Sequence, residues 1–193
     1  MKSTIFATIT VLCLALTAFA AEEPKADDPM MKAWMEYATP GEVHKAMGNL
    51  VGTWDTTVKS YMDPAAPTEQ KGTSTFEAAM EGRYIVEKAE GNFMGMPFQG
   101  MGIYGYDNGM KTYVSTWVDN MGTGIMHGTG ASDDGGKTIN WSSKAYDAMT
   151  KKEQSYRSTM HMMSADQYHF EMYGPGPDGK ETKMMEITYN RKK

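Results

Sequence analysis

Cysteine is almost absent from this 193-residue chain, because the one cysteine is Cys13. It lies in a short apolar run from Ile5 to Leu16, so residues 21–193 contain no thiol. Disulfides, thiol nucleophiles and zinc–thiolate sites are therefore excluded for residues 21–193. A hydrophobic core must stabilise the fold instead, and a chain of this length is able to bury one as a single domain.

Long hydrophobic runs are absent as well. The run from Ile5 to Leu16 is too short to span a bilayer; it follows Lys2 and precedes Ala18-Phe19-Ala20. This pattern is typical of a secretory signal peptide. We therefore predict a signal peptide over residues 1–20, a periplasmic or secreted protein and no membrane span. The acidic, proline-bearing residues 21–29 are predicted to form a disordered leader.

Basic residues are outnumbered, with 19 Lys and Arg against 24 Asp and Glu, and the net charge is −5 at pH 7. This balance disfavours nucleic acid and anionic membranes as partners. Motifs of known chemistry are also lacking: there is no nucleophile elbow, no paired-carboxylate motif and no glycine-rich phosphate loop opening a helix. The sequence predicts no cofactor, favours a binding protein over an enzyme and leaves the oligomeric state open.

Residues 30–50 have the pattern of short helices. Met31, Trp34 and Met35 recur at helical spacing, which predicts an amphipathic helix. Thr39-Pro40-Gly41-Glu42 has the form of a capping box, with Thr39 and Glu42 as the capping side chains. It predicts a second helix over residues 40–48, which we expect to close one end of the following domain.

From residue 51 onward, β-branched and aromatic residues alternate with polar ones, and turn residues recur. Short connections favour sequential antiparallel pairing. The predicted strands are 53–62, 72–80, 83–93, 97–106, 111–119, 124–132, 137–147, 152–163, 166–174 and 182–191. The predicted fold is all-β, a ten-stranded antiparallel up-and-down barrel over residues 51–193, with the short helical segment before it.

The hairpins predict which side chains face the interior, since residues opposite each other share a face. The turn at Asn108-Gly109 puts Gly100 opposite Trp117, and the next turn puts Gly128 opposite Trp141. The inward face then continues through later strands, and His161 and His169 are paired on the outer face. Haem is disfavoured because no histidine of these strands faces inward.

Ten strands leave an interior large enough for a ligand, although methionine side chains filling the core are the alternative. A small apolar or amphipathic ligand is expected to contact Trp117, Trp141, Met126, Tyr156, Met160, Phe170 and Met172. Glu87 is added as a polar contact, because a Glu81-Gly82 turn puts it opposite Phe76. A buried carboxylate would need Arg83, Arg191 or a polar ligand group as its partner, so Arg191 is included among the ligand contacts.

Two alternative functions remain open. An enzyme using the barrel mouth would depend on Glu87, Asp119 or Arg157 for acid–base or charge-stabilising chemistry. The 20 methionines also suggest a copper(I) site, with Met163, His161 and His169 as the thioether and imidazole ligands.

The stretch Gly52-Thr53-Trp54 resembles the opening strand of lipocalin-like barrels. The resemblance implies that Trp54 plugs the closed end of the barrel and that Arg191 packs over it. A narrower resemblance covers nearly all of the chain after the leader. Thr39-Pro40-Gly41, Gly82-Arg83-Tyr84, Pro97-Phe98-Gln99-Gly100, Gly105-Tyr106-Asp107-Asn108, Trp117-Val118-Asp119-Asn120-Met121 and Glu186-Ile187-Thr188-Tyr189 resemble a bacterial family called domain of unknown function 1579. That family implies a lipocalin-like fold and no agreed activity.

Overall fold

The computed structural model describes residues 28–193 except positions 64, 149, 177 and 178. The predicted signal peptide and all but the last two residues of the predicted leader lie outside the described residues. Two short helices come first, α1 over Pro29–Ala38 and α2 over Glu42–Met47, and a 3-10 turn follows over Gly48–Leu50. Within the described part of the chain, no helix is long and apolar enough to cross a membrane.

Ten strands follow the helices and form one closed barrel. Each strand is antiparallel to its neighbours in sequence, and β1 pairs with β10 to close the sheet. The strands are β1 Gly52–Ser60, β2 Thr68–Ala79, β3 Tyr84–Phe93, β4 Met96–Asp107, β5 Thr112–Asp119, β6 Met126–Ala131, β7 Thr138–Asp147, β8 Lys152–Ser164, β9 Gln167–Pro175 and β10 Glu181–Arg191. The prediction of a ten-stranded antiparallel barrel is confirmed.

The predicted register was wrong by two residues in two hairpins. Trp117 lies opposite Gly102, and Trp141 lies opposite Gly130. In the first hairpin the Asp107 carboxylate accepts hydrogen bonds from the backbone N–H of Gly109 at 2.7 Å and of Met110 at 2.9 Å. This local bonding lengthens the expected two-residue turn. Because the shift is even, the same side chains still face the interior.

The interior face of the later strands is as predicted. Ile139, Trp141, Ser158, Met160 and Tyr168 are all buried, and each alternates along its strand with neighbours that are more exposed. His161 and His169 lie opposite each other on the outer face, as predicted. The hydrophobic core therefore lies inside the barrel.

Trp54 closes one end of the barrel. Its side chain is fully buried, and its indole N–H donates to the carbonyl of Leu50 at 2.8 Å. The Arg191 guanidinium lies over the indole, 4.1 Å from the ring centre. The same guanidinium donates to the carbonyls of Asn49 at 2.7 Å and Val51 at 2.8 Å. These contacts attach the 3-10 turn to the last strand, and the arrangement implied for Trp54 and Arg191 is present.

The capping box predicted for α2 was wrong in its residues. The Thr39 hydroxyl instead donates to the carbonyl of Met35 at 2.6 Å, where α1 ends. The N-cap of α2 is Gly41, whose N–H donates to Nδ1 of His44 at 3.0 Å. Nε2 of His44 lies 3.1 Å from the Tyr106 carbonyl, to which it donates because that oxygen only accepts. His44 thus connects the start of α2 to the barrel wall.

Candidate ligand-binding site in the barrel

The barrel interior contains two adjoining cavities. The inner cavity has a volume of ≈ 240 Å³, and the outer one has a volume of ≈ 460 Å³. The two cavities share part of their walls, since Trp117, Met126, Met172 and Tyr189 line both. The outer cavity also contacts residues at the strand ends opposite Trp54: Met62, Thr68, Phe93, Phe98 and Met121. The continuous space therefore runs from the open end of the barrel towards its middle.

Most of the predicted ligand contacts line this space. The inner cavity is lined by Glu87, Trp117, Met126, Trp141, Met160, Phe170 and Met172, and the outer cavity adds Tyr156. Arg191 is the exception, because it lines neither cavity and is used at the closed end over Trp54. We therefore leave Arg191 out of the candidate site.

Glycines make room for two of the lining aromatic rings. A β-carbon on Gly100 would lie 2.4 Å from Cζ2 of Trp117, and one on Gly130 would lie 2.8 Å from Cε3 of Trp141. Both indoles therefore pack flat against bare backbone of a neighbouring strand. The Trp117 ring is also held by its N–H, which donates to the Asp119 carboxylate at 2.9 Å.

Glu87 lies in the inner cavity wall, with 2% of its surface exposed. Three hydroxyls from three other strands donate to its carboxyl group. They belong to Tyr104 at 2.7 Å, Ser74 at 2.8 Å and Tyr189 at 3.4 Å. Of the three partners expected for Glu87, Arg83 and Arg191 do not contact it, and a polar ligand group stays a prediction. Arg83 instead donates to the carbonyls of Ala38 and Met80 and to the carboxylate of Glu81.

Burial raises the pKa of the Glu87 carboxyl above its usual value, although the three hydroxyl hydrogen bonds act in the opposite direction. The pKa values of Tyr104 and Tyr189 are raised well above that of a free tyrosine, first by burial and then by the nearby charge of an ionised Glu87. The tyrosines therefore remain neutral donors, and an ionised Glu87 would have neutral hydroxyls around it instead of a positive charge.

The residues suggested for catalysis are not gathered in one place. Glu87 and Asp119 both line the inner cavity. Arg157 is on the outer surface, where it donates to both carboxylate oxygens of Glu181 at 3.1 and 3.0 Å and lies over the ring of Tyr173. Arg157 therefore does not contribute charge to a reaction at the barrel mouth with Glu87.

The histidines suggested for copper are engaged with threonine side chains. Nδ1 of His161 lies 2.7 Å from the Thr138 hydroxyl, and Nδ1 of His169 lies 3.3 Å from that of Thr188. Met163 is exposed next to an irregularity in the β8–β9 register. The other ring nitrogens of His161 and His169 also lie on the outer side of the barrel wall, away from the interior cavity.

Another cluster of possible metal ligands lies on the outer face. It consists of His169, Glu171 and Glu186, whose ligand atoms lie within 4.8 Å of one another. Lys183 donates hydrogen bonds to both of these carboxylates. Through those contacts the pKa of Lys183 is raised, and the pKa values of Glu171 and Glu186 are lowered. A protein ammonium group is therefore already bound between the two carboxylates and offsets part of their charge.

Sequence reasoning missed the hydroxyl groups around Glu87. Tyr104, Ser74 and Tyr189 come from β4, β2 and β10, so their convergence depends on closure of the barrel. One signal was available for Tyr189. The resemblance put Arg191 inside the barrel over Trp54, and strand alternation then puts Tyr189 on the same face.

The fold and the motifs agree with comparisons to known proteins. The crystal structure of Rv2717c from M. tuberculosis is 15% identical, with a TM-score of 0.58, and the match covers 80% of this chain and 100% of that one. The S-type phycobiliprotein lyase CPES from Guillardia theta is 12% identical, with a TM-score of 0.53, over 83% of this chain and 97% of that one. At these identities the similarity shows the fold alone. No curated protein matches the sequence. Residues 39–191 match the family described as "Protein of unknown function (DUF1579)", and the chain belongs to that family.

Proposed function

We propose that this protein binds a small amphipathic molecule inside the barrel and carries out no reaction on it. The observation that carries the proposal is the interior space of the two adjoining cavities, which has largely apolar walls and a buried carboxyl group, Glu87, with its hydroxyl partners. Ligand cavities in proteins are commonly apolar with a few convergent polar groups. The apolar part of the ligand contacts the methionine and aromatic walls, and its polar end contacts Glu87.

The direction of entry follows from the two ends of the barrel. Trp54, the turn before it and Arg191 close one end through buried packing and hydrogen bonds. At the other end the outer cavity contacts Met62, Phe93 and Met121. A ligand that enters there passes apolar side chains first and reaches Glu87 last. Methionine side chains on this path adapt to ligands of different shape.

We also propose that binding takes place outside the cytoplasm. The support is the sequence of residues 1–20, with a basic start, a short apolar run and Ala18-Phe19-Ala20 before an acidic stretch. The similarity to a protein named a phycobiliprotein lyase concerns the fold and assigns no reaction here.

The proposal is tested with native mass spectrometry of the protein purified from its own compartment, together with titration of an environment-sensitive apolar dye. We expect a retained organic mass, and dye binding that Met172→Trp weakens by at least about tenfold, because the added ring fills the space shared by both cavities. Met101→Trp is the matched control, because Met101 is 43% exposed and points away from the interior. A bare polypeptide mass together with equal dye binding in both variants would contradict the proposal.

A further inference from the structure

The inner cavity has an unusual balance of charge. Two of the described residues that line it are acidic, Glu87 and Asp119, and none of them is Lys, Arg or His. The acidic groups belong to β3 and β5, so the negative charge is contributed from two sides of β4. A fatty acid or phosphate headgroup that entered this cavity would find no positive charge among these residues, and the ionised forms of the two acidic groups would repel it, which is costly at low dielectric.

Among the residues that the structure describes, Glu87 also has no positively charged partner. The titratable side chains facing it from other strands are Tyr104 on β4, Tyr168 on β9 and Tyr189 on β10, and the Ser74 hydroxyl on β2 also contacts it. All of these groups are neutral when protonated. A buried carboxylate is stabilised by an opposite charge in hydrogen-bond contact, and here the space for such a charge is the cavity itself.

The rings that line the cavity suit the same chemistry. Trp117, Trp141 and Tyr104 line the inner cavity together with Glu87, and Tyr104 and Trp141 pack edge to face with their ring centres 6.1 Å apart. Aromatic faces attract organic cations, and the attraction is stronger where water is excluded. Carboxylate and aromatic groups thus converge on one part of the interior.

We infer that the molecule bound in the barrel is an organic cation, an amine with an apolar body, whose ammonium nitrogen donates to Glu87. This inference rests on the proposed function and adds the chemical class of the ligand. Where Glu87 is protonated in the empty barrel, binding involves one proton transfer: the carboxyl releases its proton to solvent as the ammonium group arrives, so a carboxylate–ammonium pair replaces a carboxylic acid. Because burial raises the pKa of the Glu87 carboxyl, cation binding should strengthen, and proton release should decline, as pH rises through that pKa.

The test uses three probes with the same chain and different headgroups: decylamine, decan-1-ol and decanoate. Isothermal titration calorimetry at pH 7, repeated in phosphate and in Tris, gives both the affinity and the number of protons exchanged. We expect decylamine to bind at least about tenfold more tightly than decanoate, and any proton exchanged on decylamine binding to be released. Glu87→Gln keeps the size of the side chain, so it should weaken decylamine at least about tenfold more than it weakens decanol, and it should abolish any proton release on decylamine binding.

Glu77→Gln is the matched control, because Glu77 makes its ion pair with Lys88 on the outer surface. It should leave all three affinities unchanged. Decanoate binding as tightly as decylamine, or decylamine binding unaffected by Glu87→Gln, would overturn the inference while decanol binding still supports an amphipathic ligand. Failure of all three probes to bind folded protein would overturn the proposed function as well.

Discussion

The guanidinium of Arg191 lies 4.1 Å from the centre of the Trp54 ring, and it joins the last strand of the barrel to the first. It also donates to two carbonyls of the turn before β1 and makes an ion pair with Asp166 at 3.3 Å. Loss of the Arg191 side chain leaves three carbonyls, those of Asn49, Val51 and Ala165, without their charged donor and uncovers an indole that is fully buried.

Arg191→Ala should therefore reduce the free energy of unfolding by about 2–4 kcal/mol. Urea denaturation followed by tryptophan fluorescence measures the change. Lys45→Ala is a suitable control, because Lys45 pairs only with Glu42 on an exposed surface and should have no measurable effect. An Arg191→Ala protein as stable as the wild type would show that Arg191 does not hold the closed end together.

Gly100 is predicted to control the position of Trp117. Gly100→Ala would bring a β-carbon to 2.4 Å from the indole, so the ring must move and its hydrogen bond to Asp119 must break. We expect a loss of about 1–3 kcal/mol of stability and a changed tryptophan emission spectrum. Gly122→Ala should change neither property, because no atom lies within 4 Å of a β-carbon placed there. An unchanged spectrum for Gly100→Ala would contradict the close packing of Trp117.

Strand positions and the interior face could be predicted because alternation of apolar and polar residues is a local property of the chain. The register of the β4–β5 hairpin was missed because it depends on turn bonding by Asp107, which strand alternation does not report. Because the predicted registers were wrong by two residues, Trp117 and Trp141 were still correctly assigned to the interior. A register error of one residue would have assigned them to the outer face.

The polar centre of the site was less predictable. Glu87 was placed opposite Phe76 correctly, because both belong to one hairpin. Its partners were not found, since Ser74, Tyr104 and Tyr189 meet only after distant strands close the barrel. Arg191 was assigned to the ligand because charge alone suggested a partner for Glu87, whereas its position at the end of β10 puts it beside Trp54.

His44 is predicted to stabilise the junction between α2 and the barrel. Its two ring nitrogens bond Gly41 and the carbonyl of Tyr106, and 6% of its surface is exposed. His44→Ala leaves both backbone groups without these partners and should cost about 1–3 kcal/mol. Thermal or urea unfolding measures the loss, and His127→Ala, on the exposed face of β6, should be nearly neutral. Equal stability of the two variants would contradict this role for His44.

Glu87 should make the protein less stable as pH rises from acid towards neutral. Burial raises the pKa of Glu87 in the folded protein above the usual value of 4.5. Below that value the carboxyl is protonated in both the folded and unfolded states, and its favourable contribution is fully present. As pH rises through the folded pKa, the unfolded chain ionises more readily than the folded one, and this contribution is lost.

The glutamine in Glu87→Gln resembles the protonated acid, so the variant should be as stable as the wild type at low pH. As pH rises through the folded pKa of Glu87, the variant should become progressively more stable than the wild type. The difference between their unfolding free energies, measured by urea denaturation from pH 4 to 8, isolates Glu87. Groups with lowered pKa values, such as Asp134 at about 2, weaken both proteins in acid and cancel in that difference. Because the exposed Glu77→Gln should give a flat difference, a flat result for Glu87→Gln would mean that the carboxyl ionises as readily in the fold as in water.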